Sequence, residues 1–279
     1  MPAIFCRERH VAPPKVSAIK GVAASTIDFL RGFVTTLICI PFLKICAATL
    51  LVFNGYQLAV SFSIYVMIYY LFNGNDVQGG KLLGWFGTLT AAATLAVIPL
   101  TGWIATRIGK RRTSLITISL SLVGYALKWV GYNPDHPYWL LFAAPFVAFG
   151  TGSLFTLMGA MIADVCDHDE LNTHERREGV LGAIYWWTVE IGMAFAGLLT
   201  GIMLNASGFD VELKAAQPEA TLFLLRLFDV GVPLATSALA ILIMMTYKIT
   251  EQKAYEIRAE LERRRGKLGA DTTPQSEAP

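Results

Sequence analysis

ICAATLLVFNGYQLAVSFSIYVMIYYLF, residues 45–72, contains no charged residue. It exceeds the roughly 20 apolar residues that a helix needs to cross the hydrocarbon core of a bilayer. Five further apolar stretches follow it. They cover residues 82–106, 113–130 (with Lys128 inside), 138–163, 180–206 (with Glu190 inside) and 221–247 (with Arg226 and Asp229 in its first turns). The pattern predicts an all-α membrane protein with six transmembrane helices.

Composition agrees. The chain has 279 residues, 54% hydrophobic and 16% charged, with a mean hydropathy of +0.50. Soluble domains carry about 25% charged residues. The net charge of +2 says little; the placement of the charges says more. Basic residues cluster only at span ends, where lipid headgroups account for them, so no nucleic-acid partner is expected. Cys6, Cys39, Cys46 and Cys166 show no metal-ligand spacing and read as free thiols. The first 26 residues lack the apolar run of a signal peptide.

The connectors alternate in chemistry. Residues 73–81, 131–137 and 207–220 are rich in turn formers. The other face receives 19 of the 23 Lys and Arg residues, counting the two ends, residues 107–112 and residues 164–179. The positive-inside rule makes that face cytoplasmic, with both termini on it. The expected location is the inner (plasma) membrane. Trp85, Trp129 and Trp139 near outer span ends and Trp103 near an inner end fit interfacial belts, whereas Trp186 and Trp187 fall inside a span. The domain plan is a cytoplasmic linker over 1–24, an interfacial helix over 25–41, the six-helix bundle over 42–248 and a charged cytoplasmic tail over 249–279. Ser25 and Asp28 resemble a capping-box variant opening the interfacial helix, and Arg31 and Pro41 keep it from spanning. The last dozen residues read as disordered.

Two groups of residues could carry chemistry. Asp164 and Asp167 lie one helical turn apart where the fourth span meets the cytoplasm. Arg111 and Arg112, in the 107–112 loop, and Arg176 lie on the same face. Ion pairs among these five would form a cytoplasmic gate that opens with helix movement; a solvated acidic loop is the plainer alternative. A metal site at Asp167, His168 and His174 lacks ligand spacing, and none is expected. Glu190 sits near mid-membrane, where an acid costs about 2.5–3.5 kcal/mol to insert, so it should face a cavity or the bundle interior. A carboxylate beside an aromatic ring suits a polyol: the acid accepts hydroxyl hydrogen bonds and the ring packs on C–H faces. A protonated Glu in one interhelical hydrogen bond is the plainer reading. Gly197–Gly201 (GxxxG) and Gly150–Gly152 (GxG) should let helices pack closely. Lys128 should snorkel outward, and Arg226 should pair with Asp229, one turn away.

The run Met161-Ile-Ala-Asp164-Val-Cys-Asp167-His-Asp-Glu170, followed by Arg176-Arg-Glu-Gly179, resembles the signature between helices ten and eleven of the glycoside–pentoside–hexuronide:cation symporters. These form the melibiose-carrier-like branch of the major facilitator superfamily. Gly109-Lys-Arg-Arg112 resembles the family's basic loop between helices eight and nine, and Ile191-Gly192, Gly197 and Gly208-Phe-Asp210 resemble its eleventh helix and outer end. The resemblance covers about residues 41–253 and the family's C-terminal six helices. It implies two three-helix inverted repeats and alternating access against a second six-helix half or a homodimeric copy. The implied function is cation-coupled symport of a sugar or glycoside, with sodium or a proton as coupling ion and no other cofactor. Phe155, Tyr185 and Trp186 fall where the family's tenth and eleventh helices face the cavity, and with Glu190 they form the expected substrate wall. Where the family often has a mid-helix Lys, this chain has Glu190. A non-transporting relic and, more remotely, a metal-dependent membrane enzyme are the alternatives.

Overall fold

A computed structural model describes residue 36 and residues 38–271. The expected linker, most of the interfacial helix and the end of the tail lie outside the described residues. Among the described residues, six helices are long and apolar enough to span a membrane. They are α1 (Ile40–Tyr65), α2 (Asp76–Ile108), α3 (Lys110–Gly131), α4 (Ala144–Thr173), α5 (Glu178–Ala206) and α6 (Glu219–Met245). A seventh helix, α7 (Glu251–Asp271), follows them. In hydrocarbon every backbone polar group must be satisfied within the protein, which is why apolar runs of this length become helices. Pro41, expected to break a helix, sits instead in the first turn of α1. There its missing N–H would have had no intrahelical partner anyway.

The helix ends follow local chemistry. A π-helical turn, Val66–Leu71, extends α1, and the turn beyond it uses left-handed Asn73 and Gly74. The Asn75 side chain caps α2 by accepting the Gln78 N–H at 3.1 Å. Gly109, at φ 87°, joins α2 to α3, and His174, at φ 59°, ends α4. Short 3-10 segments, Pro137–Ala143 and Val211–Ala216, lead into α4 and α6.

The packing is symmetric. α1 lies on α5 and α6, α4 lies on α2 and α3, and α3 meets α6. Exchanging α1 with α4, α2 with α5 and α3 with α6 maps these main pairings onto themselves. Since consecutive spans reverse direction, α1 and α4 run oppositely. The bundle is therefore two three-helix inverted repeats. α1 and α4 form its buried centre, while α2 and α5 are its most exposed spans. One apolar cluster, around Phe42, Met161 and Tyr247, fills the end where α1 begins; a second, around Phe62, Tyr125 and Leu225, fills the opposite end. The first is called the basic end below.

Close backbone approach explains several small residues. A Cβ on Gly55 would lie 3.0 Å from the Pro233 Cα of α6, and one on Gly124 would lie 2.7 Å from the Val147 N of α4. Gly150 and Gly152 pack likewise, against Ser121 and Val97. Gly197 and Gly201 do not: among the described residues a Cβ at either meets nothing within 4 Å. The GxxxG expected to let helices pack closely lies on a face of α5 that no described helix covers. The tail also departs from expectation. Ala254, Ile257 and Leu261 share one face of α7 and are buried, and α7 packs on α4.

Candidate functional site

A cavity of about 250 Å³ lies between α1, α4 and α5, toward the basic end. Phe155, Tyr185 and Trp186 line it together, with Thr49 and Phe53 from α1. Tyr185 is buried and meets Trp186 edge-on, with ring centroids 5.9 Å apart. Phe155 and Trp186 are 62% and 56% exposed, so the cavity opens between those rings. The buried Thr49 hydroxyl faces Tyr185, yet among the described residues no well-formed hydrogen bond satisfies it. That leaves a polar group free to meet a ligand hydroxyl.

Glu190 is not part of this wall. Glu178, Gly182 and Trp186 line the cavity at four-residue intervals along α5. Glu190 is the next residue in that series, one turn further on and exposed. By helical spacing it shares a face of α5 with Gly197 and Gly201, seven and eleven residues on.

At the basic end the acidic residues of α4 are held by cations. Lys110 binds Asp164 at 2.6 Å, and Arg258 of α7 binds Asp164 at 2.6 Å and Asp167 at 3.4 Å. Arg176 reaches Glu170 at 3.2 Å and Glu178 at 3.0 Å, with Asp167 further off at 3.8 Å. Arg177 binds Asp169 at 2.9 Å. Partial burial of Arg258 disfavours its charge, but Asp164 and Asp167 outweigh this and hold its pKa above the ordinary arginine value.

Two of the five residues grouped as a gate stand elsewhere. Arg111 donates to the carbonyls of Met244 and Met245, and Lys44 donates to that of Thr246. The last carbonyls of α6 have no intrahelical partner, so cations collect there. Arg112 is exposed and borders a hollow with Gln252 and Glu251. Their neighbour Lys110 reaches the carboxylates instead. Arg258 was missed because a charged tail reads as solvated; the signal was the apolar spacing of Ala254, Ile257 and Leu261.

The opposite end holds a second unforeseen feature. Lys128 does not snorkel: it is 2% exposed and binds Asp229, itself 0% exposed, at 2.7 Å. Lys128 also donates to the Ser63 hydroxyl at 2.7 Å, and Tyr132 donates to the second Asp229 oxygen at 2.6 Å. Arg226 does not pair with Asp229. It bonds the Tyr70 hydroxyl at 2.8 Å and stacks on the Tyr70 and Trp129 rings. Opposite charges at similar depth in two spans were the available signal.

A family model described as MFS/sugar transport protein matches residues 6–251. The chain belongs to this family. Among curated relatives, it is 30% identical over 161 residues to an isoprimeverose transporter of Lactiplantibacillus pentosus, covering 58% of this chain and 33% of the relative. It is 29% identical to a putative sulfoquinovose importer of Salmonella typhimurium, covering 81% of this chain and 46% of the relative. It is also 29% identical to a glucuronide carrier protein homolog of Escherichia coli K12, covering 81% and 48%. The chain spans at most about half the length of these relatives. As a member of the MFS/sugar transport family with six apolar spans, it is a multi-pass membrane protein.

Proposed function

We propose that this chain supplies one six-helix bundle of an alternating-access carrier for a sugar or glycoside. The carrier is coupled to a cation, and a second six-helix bundle or a second copy of this chain completes it. The relatives' names support the solute class, and the cation rests on the family resemblance. The basic end is then cytoplasmic, with both termini there, in the plasma membrane.

The observation that carries this reading is exposed Glu190, one helical turn along α5 from Trp186 of the cavity that Phe155 and Tyr185 share. Lipid would cover a mid-membrane carboxylate only at a cost of about 2.5–3.5 kcal/mol. An aqueous passage or a facing bundle removes that cost. In this reading Trp186 and Phe155 pack on the sugar ring, Thr49 and Glu190 accept or donate at its hydroxyls, and the Asp164 cluster closes the cytoplasmic end while the other side is open.

The test has two parts. Purification from the native membrane should yield a second six-helix bundle or a dimer. Vesicles holding that assembly should accumulate a labelled glycoside, and Glu190→Gln should reduce the uptake. A monomeric chain without a partner, or uptake unchanged by both Glu190→Gln and Trp186→Ala, would refute the proposal.

A further inference from the structure

The inverted repeat relates more than helices. The cavity at Tyr185 is walled by α4 and α5 with α1 behind them. Exchanging the repeats predicts a partner cavity walled by α1 and α2 with α4 behind them. Such a cavity exists, of about 200 Å³, toward the opposite end. Tyr56, Ala59 and Val60 of α1 line it, with Phe86 and Thr90 of α2 and Val147 of α4.

This second cavity has something the first lacks. Buried Lys128 and Tyr125 of α3 reach its wall. An ammonium has three N–H donors. Among the described residues, two serve Asp229 and Ser63. The Lys128 Nζ lies 5.7 Å from the centroid of Phe86, a ring of the same wall. The hydroxyls of Thr90 and Thr94 donate to the carbonyls of Phe86 and Thr90, which leaves their lone pairs as acceptors. Aromatic faces, hydroxyl acceptors and one spare ammonium donor suit a polyhydroxylated ring. Since Asp229 already balances Lys128, the site has no net positive charge to draw in an anion. Its volume falls below the roughly 300–1,000 Å³ of pockets for drug-sized ligands, which favours a single ring.

We propose that the α1–α2 cavity is a second solute subsite, in which Lys128 donates its third N–H to a hydroxyl of one neutral sugar ring packed against Phe86, Tyr56 and Tyr125. This rests on the carrier reading above, and it places solute in both halves of the inverted repeat. The two sites occupy opposite depths, as a solute entering from one side and leaving on the other requires.

Lys128→Met would remove the donor but also break the ion pair, so the test fills the cavities instead. Gly87 lines the α1–α2 cavity and Gly182 lines the other, and among the described residues a Cβ at either meets nothing within 4 Å. Gly87→Trp and Gly182→Trp therefore each place an indole at the wall of one cavity without a Cβ clash. Equilibrium binding of radiolabelled methyl α-glucopyranoside is measured on the full chain in lipid nanodiscs. The expected capacity is two molecules per chain, with either variant retaining one. In Gly182→Trp, the corresponding methyl glucuronide should bind at least about tenfold more weakly than the neutral glycoside. Capacity unchanged by Gly87→Trp but lost in Gly182→Trp overturns the second subsite and leaves the first standing. The reverse outcome sinks the first cavity and keeps the second. Equal binding of the glucuronide overturns the assignment to a neutral ring, and no saturable binding to the unaltered chain overturns both sites.

Discussion

Replacing Lys128 with Met should destabilise the bundle severely. The substitution conserves length and apolar character but removes the charge opposite Asp229, which is 0% exposed. Tyr132 and Ser63 would still donate to the carboxylate. Neither supplies a compensating charge, so Asp229 would remain an isolated buried anion. Breaking a buried pair from one side costs about 3–5 kcal/mol. A snorkelling lysine paired at the surface would contribute only ~0–1 kcal/mol. The two readings therefore differ by several kcal/mol. Reversible unfolding in mixed dodecyl sulfate micelles, followed by circular dichroism, resolves that difference. The double variant Lys128→Met/Asp229→Leu should recover most of the loss, because it leaves no buried charge. It should not recover all of it, because the Tyr132 hydroxyl would lose its acceptor at about 1–3 kcal/mol. A single variant within about 1 kcal/mol of the unaltered chain, or a double variant less stable than the single, would refute the buried-pair argument.

Gly55→Leu should overpack the α1–α6 contact and cost about 1–3 kcal/mol or more, read in the same unfolding assay. Arg258→Ala removes a partly exposed pairing while Lys110 still holds Asp164, so stability should change by less than about 1 kcal/mol. Yet thiol labelling of Cys166, which is 1% exposed, should accelerate; unchanged labelling would show that α7 does not cover the basic end. Asp164→Ala, which removes the acceptor shared by Lys110 and Arg258, should shift the assembled carrier toward its inward-open form. Equal accessibility of a cysteine on the far side in both proteins would rule that out.

The six spans were legible because a bilayer imposes a length on apolar runs that sequence displays directly. Their ends were less so: α4 continues to Thr173, ten residues past the apolar run, because a helix does not stop where its side chains turn polar. The gathering of Phe155, Tyr185 and Trp186 on one cavity was likewise anticipated. The partners of the charged residues were only partly legible, for a geometric reason. Arg226 and Asp229 are three residues apart, which places them about 60° apart around the helix. That angle is enough for one to aim at Tyr70 and Trp129 while the other faces Ser63 and Lys128. Which cation reaches a carboxylate across helices depends on the rotation of each helix, and that is fixed by the whole bundle. Lys110, not Arg111 or Arg112, points at Asp164 because the two arginines follow it around the axis by about 100° and 200°. Docking of α7 left a fainter trace: Ala254, Ile257 and Leu261 share one face, but charges outnumber them along the helix.

The cluster at Asp164 joins groups far apart in the order of synthesis. Lys110 follows the second span, Asp164 ends the fourth, and Arg258 follows the sixth. On the ribosome, Asp164 therefore finds its lysine early and its arginine last. Until α7 emerges, a nascent bundle has all six apolar spans but lacks the arginine that ties the segment after α6 to α4. Docking of α7 thus unites charges made at three separate times of synthesis.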